Sequence, residues 1–250
     1  MKKRAALCGS RKKEEFLKMM AETDIEAYVE EVVTIEYLPA EEVAKKLEEV
    51  LSLKPSHFLF TTGEGVQRLF QVAEEYGVLP HLLQLLKNCV ILCRGYKTRG
   101  VLLKYGLSIA AYSESTSHLL NTLKDDVKIA VQPYGEEIEE LKGRAFVLPV
   151  YRYKMDTNRM DAFIEKLLKG FYHGVLFTSP YQVRYTFARA RDIGMEGYLA
   201  NVMTDRVLVV AVGHMTAEEL YKAGVFRVLK PPKERFPLAV RELLKGLDRG

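Results

Sequence analysis

Two stretches of this chain occur twice. HFLFTTGEGVQRLF (57–70) aligns with GVLFTSPYQVRYTF (174–187), so that Phe60, Thr61, Val66 and Phe70 coincide with Phe177, Thr178, Val183 and Phe187 at an offset of 117. Thr62 then falls opposite Ser179. VILCRGYKTRGVLLKYGL (90–107) aligns with LVVAVGHMTAEELYKAGV (208–225), which superimposes Gly95, Thr98 and Gly106 on Gly213, Thr216 and Gly224 at an offset of 118. The offsets differ by one residue, which a loop absorbs. A weaker match relates KRAALCGSRKKEEF (3–16) to VKIAVQPYGEEIEE (127–140), each an apolar run followed by a polar helix start. The chain therefore reads as an internal duplication of a unit of about 120 residues, an ordinary domain size.

Each unit alternates short apolar runs with amphipathic segments. Expected strands in the first half are 4–8, 25–30, 57–61, 89–93 and 108–111, and in the second 127–132, 144–150, 173–178, 206–212 and 225–229. Helical periodicity fills the gaps, as in EEVAKKLEEVLSL (41–53) and MDAFIEKLLKG (160–170). Parallel neighbours need crossover connections, so strands separated by helices predict parallel sheet. Five strands per unit give an α/β chain of two flavodoxin-like, Rossmann-like doubly wound domains.

In such sheets ligands gather where the chain leaves a strand and enters a helix. All four repeated turns lie there: Thr61-Thr62-Gly63, Gly95-Tyr96-Lys97-Thr98, Thr178-Ser179 and Gly213-His214-Met215-Thr216. A helix start presents unpaired N–H groups and the positive end of the dipole, glycine admits a ligand to the backbone, and Thr or Ser adds a hydroxyl. Such turns hold carboxylates or phosphates. Equally, Thr62, Thr98, Ser179 and Thr216 read as plain helix caps. Four turns, two per unit, would line one cleft if the sheets faced each other, with Arg11, Arg94, Lys97, Arg99 and Arg152 supplying positive charge.

The net charge of +4 suits an anionic ligand, but the basic residues are spread along the chain and do not suggest nucleic acid. No apolar run is long enough for a membrane helix. MKKRAALCGS has only Ala5, Ala6 and Leu7 before Cys8, too little for a signal peptide, so a first strand in a cytoplasmic protein is expected. Cys8, Cys89 and Cys93 form no disulfide framework and read as buried thiols, with Cys89 and Cys93 on one face of a strand. No phosphate-loop, nucleophile-elbow, dinucleotide or zinc-protease motif occurs, and Gly63-Glu64-Gly65 is too little for a dinucleotide site. The residues argue against nucleophilic, metal and nicotinamide chemistry and lead to an expected two-lobed α/β protein that binds a polyanion between its lobes.

FTTGEGV (60–66), CRGYKTRGVLLKYGL (93–107), VQPYGEE (131–137), LPVYRYK (148–154), FTSPYQV (177–183) and AVGHMTAEELYKAGV (211–225) together resemble the uroporphyrinogen-III synthase family of tetrapyrrole (haem, sirohaem, cobalamin) biosynthesis. TTG-x-GV and RG-x-K resemble the branch without Thr-Ser-Pro in the first half, and His214 stands where many members have proline. Periodicity alone gives tandem domains split near residue 120. The resemblance implies a crossed arrangement: 1–33 plus 155–250 as one domain, 38–148 as the other, and 32–38 with 149–154 as a two-stranded connector.

The resemblance further implies that a linear tetrapyrrole, hydroxymethylbilane, loses its terminal hydroxyl as water and closes with ring D inverted. It implies no cofactor, no metal, a monomer, and hand-over of substrate from hydroxymethylbilane synthase. Tyr151 matches the tyrosine that serves as general acid, or else packs as a connector residue. The substrate-binding positions implied are Arg11, Thr61, Thr62, Gly63, Gly95, Lys97, Thr98, Tyr134, Thr178, Ser179, Gly213, His214, Met215 and Thr216. A tetrapyrrole sensor of the same fold is the alternative. The chain ends at LAVRELLKGLDRG (238–250), which leaves no room for an appended DNA-binding domain. A two-lobed solute-binding protein is disfavoured by the lack of an export signal.

Overall fold

The computed structural model describes residues 2–121, 123, 127–134, 141 and 143–249. Gly135, Glu136 and Glu137 of the VQPYGEE motif, and the end of the weaker repeat at 138–140, lie outside the described residues. In chain order the elements are β1 (Arg4–Cys8), α1 (Lys13–Met20), β2 (Glu26–Glu30), β3 (Val33–Tyr37), α2 (Ala40–Leu53), β4 (His57–Phe60), α3 (Gly63–Glu75), α4 (Leu79–Lys87), β5 (Val90–Arg94), α5 (Tyr96–Lys104), β6 (Ala111–Ser113) and α6 (Thr116–Leu120). They continue with β7 (Ile129–Gln132), β8 (Ala145–Val147), β9 (Tyr151–Met155), α7 (Thr157–Leu168), β10 (Gly174–Phe177), α8 (Pro180–Asp192), α9 (Glu196–Asp205), β11 (Leu208–Ala211), α10 (His214–Lys222), β12 (Val228–Leu229) and α11 (Phe236–Arg249).

The chain divides into two compact units, Met1–Thr34 with Lys154–Gly250, and Ile35–Tyr153. The first holds a five-stranded sheet in the order β12-β11-β10-β1-β2 and the second one in the order β6-β5-β4-β7-β8. Every neighbouring pair in both is parallel. β3 and β9 form a separate two-stranded sheet. Aligned residues hold equivalent rungs: Phe177 is flanked by Cys8 and Ala211, and Phe60 by Gln132 and Cys93.

Parallel strands are covered on both faces, which is why they read as continuous apolar runs. In β4, Phe58 and Phe60 stack at 4.4 Å on the face packed by α2, α3 and α4, while Leu59 joins Leu92, Leu119, Ile129 and Val131 on the other. Each fully buried phenyl ring contributes roughly 2–3 kcal/mol of hydrophobic stabilisation. In the other unit Ala5, Leu7, Leu176 and Val210 pack against Phe16 of α1 and Leu243 of α11. The edge strand β2 is fastened by Glu30, whose carboxylate accepts from Lys166 Nζ at 2.8 Å and from the buried Tyr172 hydroxyl.

Three sequence expectations need correction. The strands expected at 108–111 and 225–229 begin later, at Ala111 and Val228. The repeated glycines Gly106 and Gly224 have φ of 68° and 85° and stop the helices before them. Leu107 and Val225 then donate back to Leu102 O and Leu220 O, so these apolar residues close helix ends and do not enter strands. Cys89 precedes β5: its N–H closes α4 on Leu86 O and its Sγ lies 3.0 Å from Pro55 O. It still packs against the same core as the buried Cys93. Burial pushes the Cys93 thiol up to about 11, which makes it an inert thiol.

Candidate functional site

The turn after β4 brings together residues of the Ile35–Tyr153 unit. Thr62 is the N-cap of α3, with extended backbone (φ −144°, ψ 141°), and its Oγ1 accepts from Gly65 N at 3.1 Å. The same hydroxyl lies 3.1 Å from the Tyr151 hydroxyl. Tyr151 is 2% exposed, so only its phenolic end reaches the turn. Its ring packs edge-on against Tyr37 and Tyr153 at 6.5 and 6.0 Å. Tyr37 in turn donates to Glu64 in the first turn of α3, and the Arg68 guanidinium lies 5.6 Å from the Tyr37 ring. Thr62, Gly63 and Tyr151 are thus brought together, and Tyr37, Glu64 and Arg68 join them unannounced. Nothing in local sequence links Tyr37 to Glu64.

Thr61 is a correction. Its amide and hydroxyl both donate to Gln132 O, at 3.2 and 2.9 Å, so it ties β4 to β7 and has neither donor left for a ligand. Thr178 and Ser179 are similarly engaged. Gln182 Oε1 accepts from Thr178 N at 2.8 Å and Ser179 N at 3.2 Å, and Ser179 Oγ accepts from Tyr181 N. This is a capping box, a reciprocal arrangement readable from Ser-x-x-Gln.

The equivalent space in the other unit is filled from the opposite side. There Gln132 of β7 lies over Gly65, and a β-carbon on Gly65 would overlap its amide. In the first unit the overlap is between Gln182 of α8 and Gly9 after β1. One unit takes its glutamine from the helix and its glycine from the strand end; the other reverses them. Gln132 is fully buried, and its Oε1 has no hydrogen-bond partner among the described residues.

The two glycine turns also differ from expectation. Gly95 and Gly213 are themselves the N-caps of α5 and α10, so Thr98 and Thr216 are not caps. Both threonines are buried one turn inside, and their hydroxyls bond to no other described residue. Each turn already holds a carboxylate of its own chain. Glu234 accepts from His214 N at 2.8 Å and meets His214 Nδ1. Glu114 accepts from Tyr96 N at 3.3 Å and from the Tyr112 hydroxyl. Burial pushes the Glu234 carboxyl up, but the His214 amide and ring, with Lys230, outweigh it and leave it below the usual carboxylate range. Glu114 and Glu234 follow equivalent edge strands, a correspondence the repeat could have revealed.

Of the remaining expected residues, Lys97, His214 and Met215 are exposed at these turns, Arg11 is exposed in the turn after β1, and Tyr134 lies half-buried beneath Arg94. Among the described residues no group of three His, Cys, Asp or Glu could hold a metal ion. No helix among them is long and apolar enough to cross a membrane.

Parallel sheets whose strand ends open onto helix N-termini and hydroxyls define an α/β protein of the kind that takes anionic ligands at those ends. Within that class the chain belongs to the uroporphyrinogen-III synthase family: the family model described as "Uroporphyrinogen-III synthase HemD" matches residues 19–239. The chain is 31% identical over 258 residues to "Uncharacterized protein YjjA" of Bacillus subtilis (strain 168), covering 97% of this chain and 95% of that protein. It is 28% identical over 187 residues to a "Putative uroporphyrinogen-III synthase" of Methanothermobacter thermautotrophicus, covering 68% of this chain and 70% of that one. A crystal structure of a mutant uroporphyrinogen III synthase from the extremely thermophilic bacterium Thermus thermophilus superimposes with a TM-score of 0.84 at 27% identity, covering 99% of this chain and 98% of that one.

Proposed function

We propose that the protein is a uroporphyrinogen-III synthase that cyclises hydroxymethylbilane with inversion of ring D and loss of water. The observation that carries this reading is the bond between the Tyr151 and Thr62 hydroxyls at the start of α3. It puts a phenol at a helix start suited to a carboxylated ligand.

Tyr151 gives its proton to the departing hydroxyl, the C–O bond breaks, and water leaves. The resulting azafulvene is attacked by the substituted carbon of ring D, giving a spiro intermediate. Fragmentation and reclosure invert the ring and expel one proton, which restores the phenol. Thr62 keeps the phenolic oxygen oriented. Backbone N–H groups at the starts of α3 and α5, with the Thr98 hydroxyl, hold acetate and propionate groups. Because the unaided bilane closes to the wrong isomer, positioning supplies most of the selectivity.

The same reading treats 1–33 plus 155–250 and 38–148 as flavodoxin-like domains descended from one duplicated unit, with 32–38 and 149–154 as connector. The equivalent rungs of the two sheets support it. It also carries the expectation of a cytoplasmic monomer supplied by hydroxymethylbilane synthase. The test is to supply hydroxymethylbilane to the purified protein and measure the ratio of uroporphyrin isomers III and I. Isomer III in clear excess over the enzyme-free control is expected. Isomer I alone would overturn the synthase reading and leave a tetrapyrrole-binding module of the same fold.

A further inference from the structure

Around the start of α5 three cations lie over three tyrosines. The Arg94 guanidinium, at the end of β5, is 4.3 Å from the Tyr134 ring centre; Arg99 is 5.8 Å from Tyr112, and Lys97 Nζ 5.9 Å from Tyr96. The cluster spans the carboxyl ends of β7, β4, β5 and β6, which are consecutive neighbours in one sheet. Elsewhere in the chain cations are commonly neutralised: Arg189 by Asp161, Arg184 by Glu219, Arg191 by Glu196, Lys166 by Glu30. Among the described residues Arg94, Lys97 and Arg99 have no ion-pair partner. For Arg94, half-buried against Tyr134, that leaves a partly desolvated charge without a counter-ion among the described residues.

The chain supplies its own control. At the aligned positions of the other unit stand Val212, Met215 and Ala217, and α10 forms the same turn there. The cations are therefore not needed to fold it. Glu114, a carboxylate at this turn, accepts from Tyr96 N and the Tyr112 hydroxyl and, among the described residues, forms no ion pair with any of the three.

We propose that Arg94, Lys97 and Arg99, with Tyr134 as a stacking plate, form the subsite that recognises the carboxylates of a multiply carboxylated tetrapyrrole, and that Glu114 holds the Tyr96 amide until a ligand carboxylate replaces it. This rests on the synthase reading for the ligand class. A planar guanidinium held flat on a ring presents its fork to a carboxylate with little further ordering, and it is weakly hydrated enough to desolvate. The exposed Lys97 and Arg99 add a field that salt screens. Glu114 opposes binding twice, by occupying the amide and by its charge.

The experiment measures the affinity of uroporphyrin I, which keeps every acetate and propionate, by fluorescence at low and high salt. The full-length wild type is compared with Arg94→Gln, the double variant Lys97→Gln/Arg99→Gln, and Glu114→Gln, each checked for folding by circular dichroism. Arg94→Gln is expected to weaken binding about tenfold, as for loss of one charge-assisted contact. The double variant flattens the salt dependence, and Glu114→Gln binds more tightly than the wild type. If Arg94→Gln does not fold, the double variant, changed only at exposed positions, still decides.

Failure of wild type to bind the porphyrin, or unchanged affinity and salt slope in both cation variants, overturns the subsite. Unchanged or weaker binding by Glu114→Gln overturns the role of Glu114. Isomer analysis on the same preparations separates the two readings. A wild type that makes no isomer III but binds porphyrin through Arg94 keeps the subsite and loses the synthase. A wild type that makes isomer III, with the cation variants equal to it in KM and affinity, does the reverse.

Discussion

At the scale of single residues, Tyr151 depends on a partner 89 positions away in the chain. Replacing it by phenylalanine keeps the buried ring and removes one hydroxyl. Formation of isomer III from hydroxymethylbilane is expected to fall by about a hundredfold or more, the usual loss for a general acid. Unfolding free energy should change by only about 1 kcal/mol, one hydrogen bond's net worth. Near-normal turnover in the folded variant would remove Tyr151 from the mechanism. Thr62 and Ser179 were legible as caps because a small hydroxyl residue before a helix has one dominant use. Thr98 and Thr216 were not legible, because sequence cannot tell an N-cap from a residue three positions further on when a glycine can serve as the cap. Thr61 looks identical to its neighbour in sequence; only the approach of Gln132 shows that its donors are already used.

At the scale of elements, the glutamine–glycine exchange is a packing relation with a measurable consequence. Gly65→Ala puts a methyl group where the Gln132 amide lies and should destabilise by about 1–3 kcal/mol, as overpacking does. In a Gln132→Ala background the same substitution should cost far less, so a double-mutant cycle by urea unfolding should show strong coupling; additive effects would refute the relation. A second relation joins α8 to α10. Glu219 accepts from Arg184 at 3.0 Å and from Lys222 at 3.2 Å. The Arg184 hydrogen bond chiefly holds its carboxyl below the usual range, against burial, with Lys222 adding. A depressed folded value means that this carboxylate stabilises the native state above the unfolded value of about 4.3. That contribution is lost as pH falls through the lower folded value. Urea midpoints measured between about pH 3 and pH 6 should therefore fall less steeply on acidification in Glu219→Gln than in the wild type. Parallel slopes would remove Glu219 from the acid response.

At the scale of the whole molecule, β1 and β2 complete a sheet whose other strands begin more than a hundred residues later. The fragment 35–153 contains every strand of its own sheet and should fold alone with a cooperative transition. The fragment 154–250 exposes the fully buried strand β10 as an apolar edge and should stay unfolded or aggregate until a peptide of residues 2–34 is added. Circular dichroism of the fragments, separate and mixed, is the check, and an independently folded 154–250 would contradict the shared sheet. The sequence by itself determined the strand and helix alternation, the parallel sheets and the positions of the strand-to-helix turns, because side-chain periodicity, helix stops and caps are set by neighbours a few residues apart. Only the tertiary structure decided which copy of β1 completes which sheet. Two halves built on the same repeated pattern offer the same local contacts to either partner, and no local rule distinguishes them. It likewise decided how each turn's donors are used. Those at Gly95 and Gly213 meet Glu114 and Glu234 across a loop from the neighbouring strand, and such a meeting is written in the fold's geometry and in no short stretch of the chain.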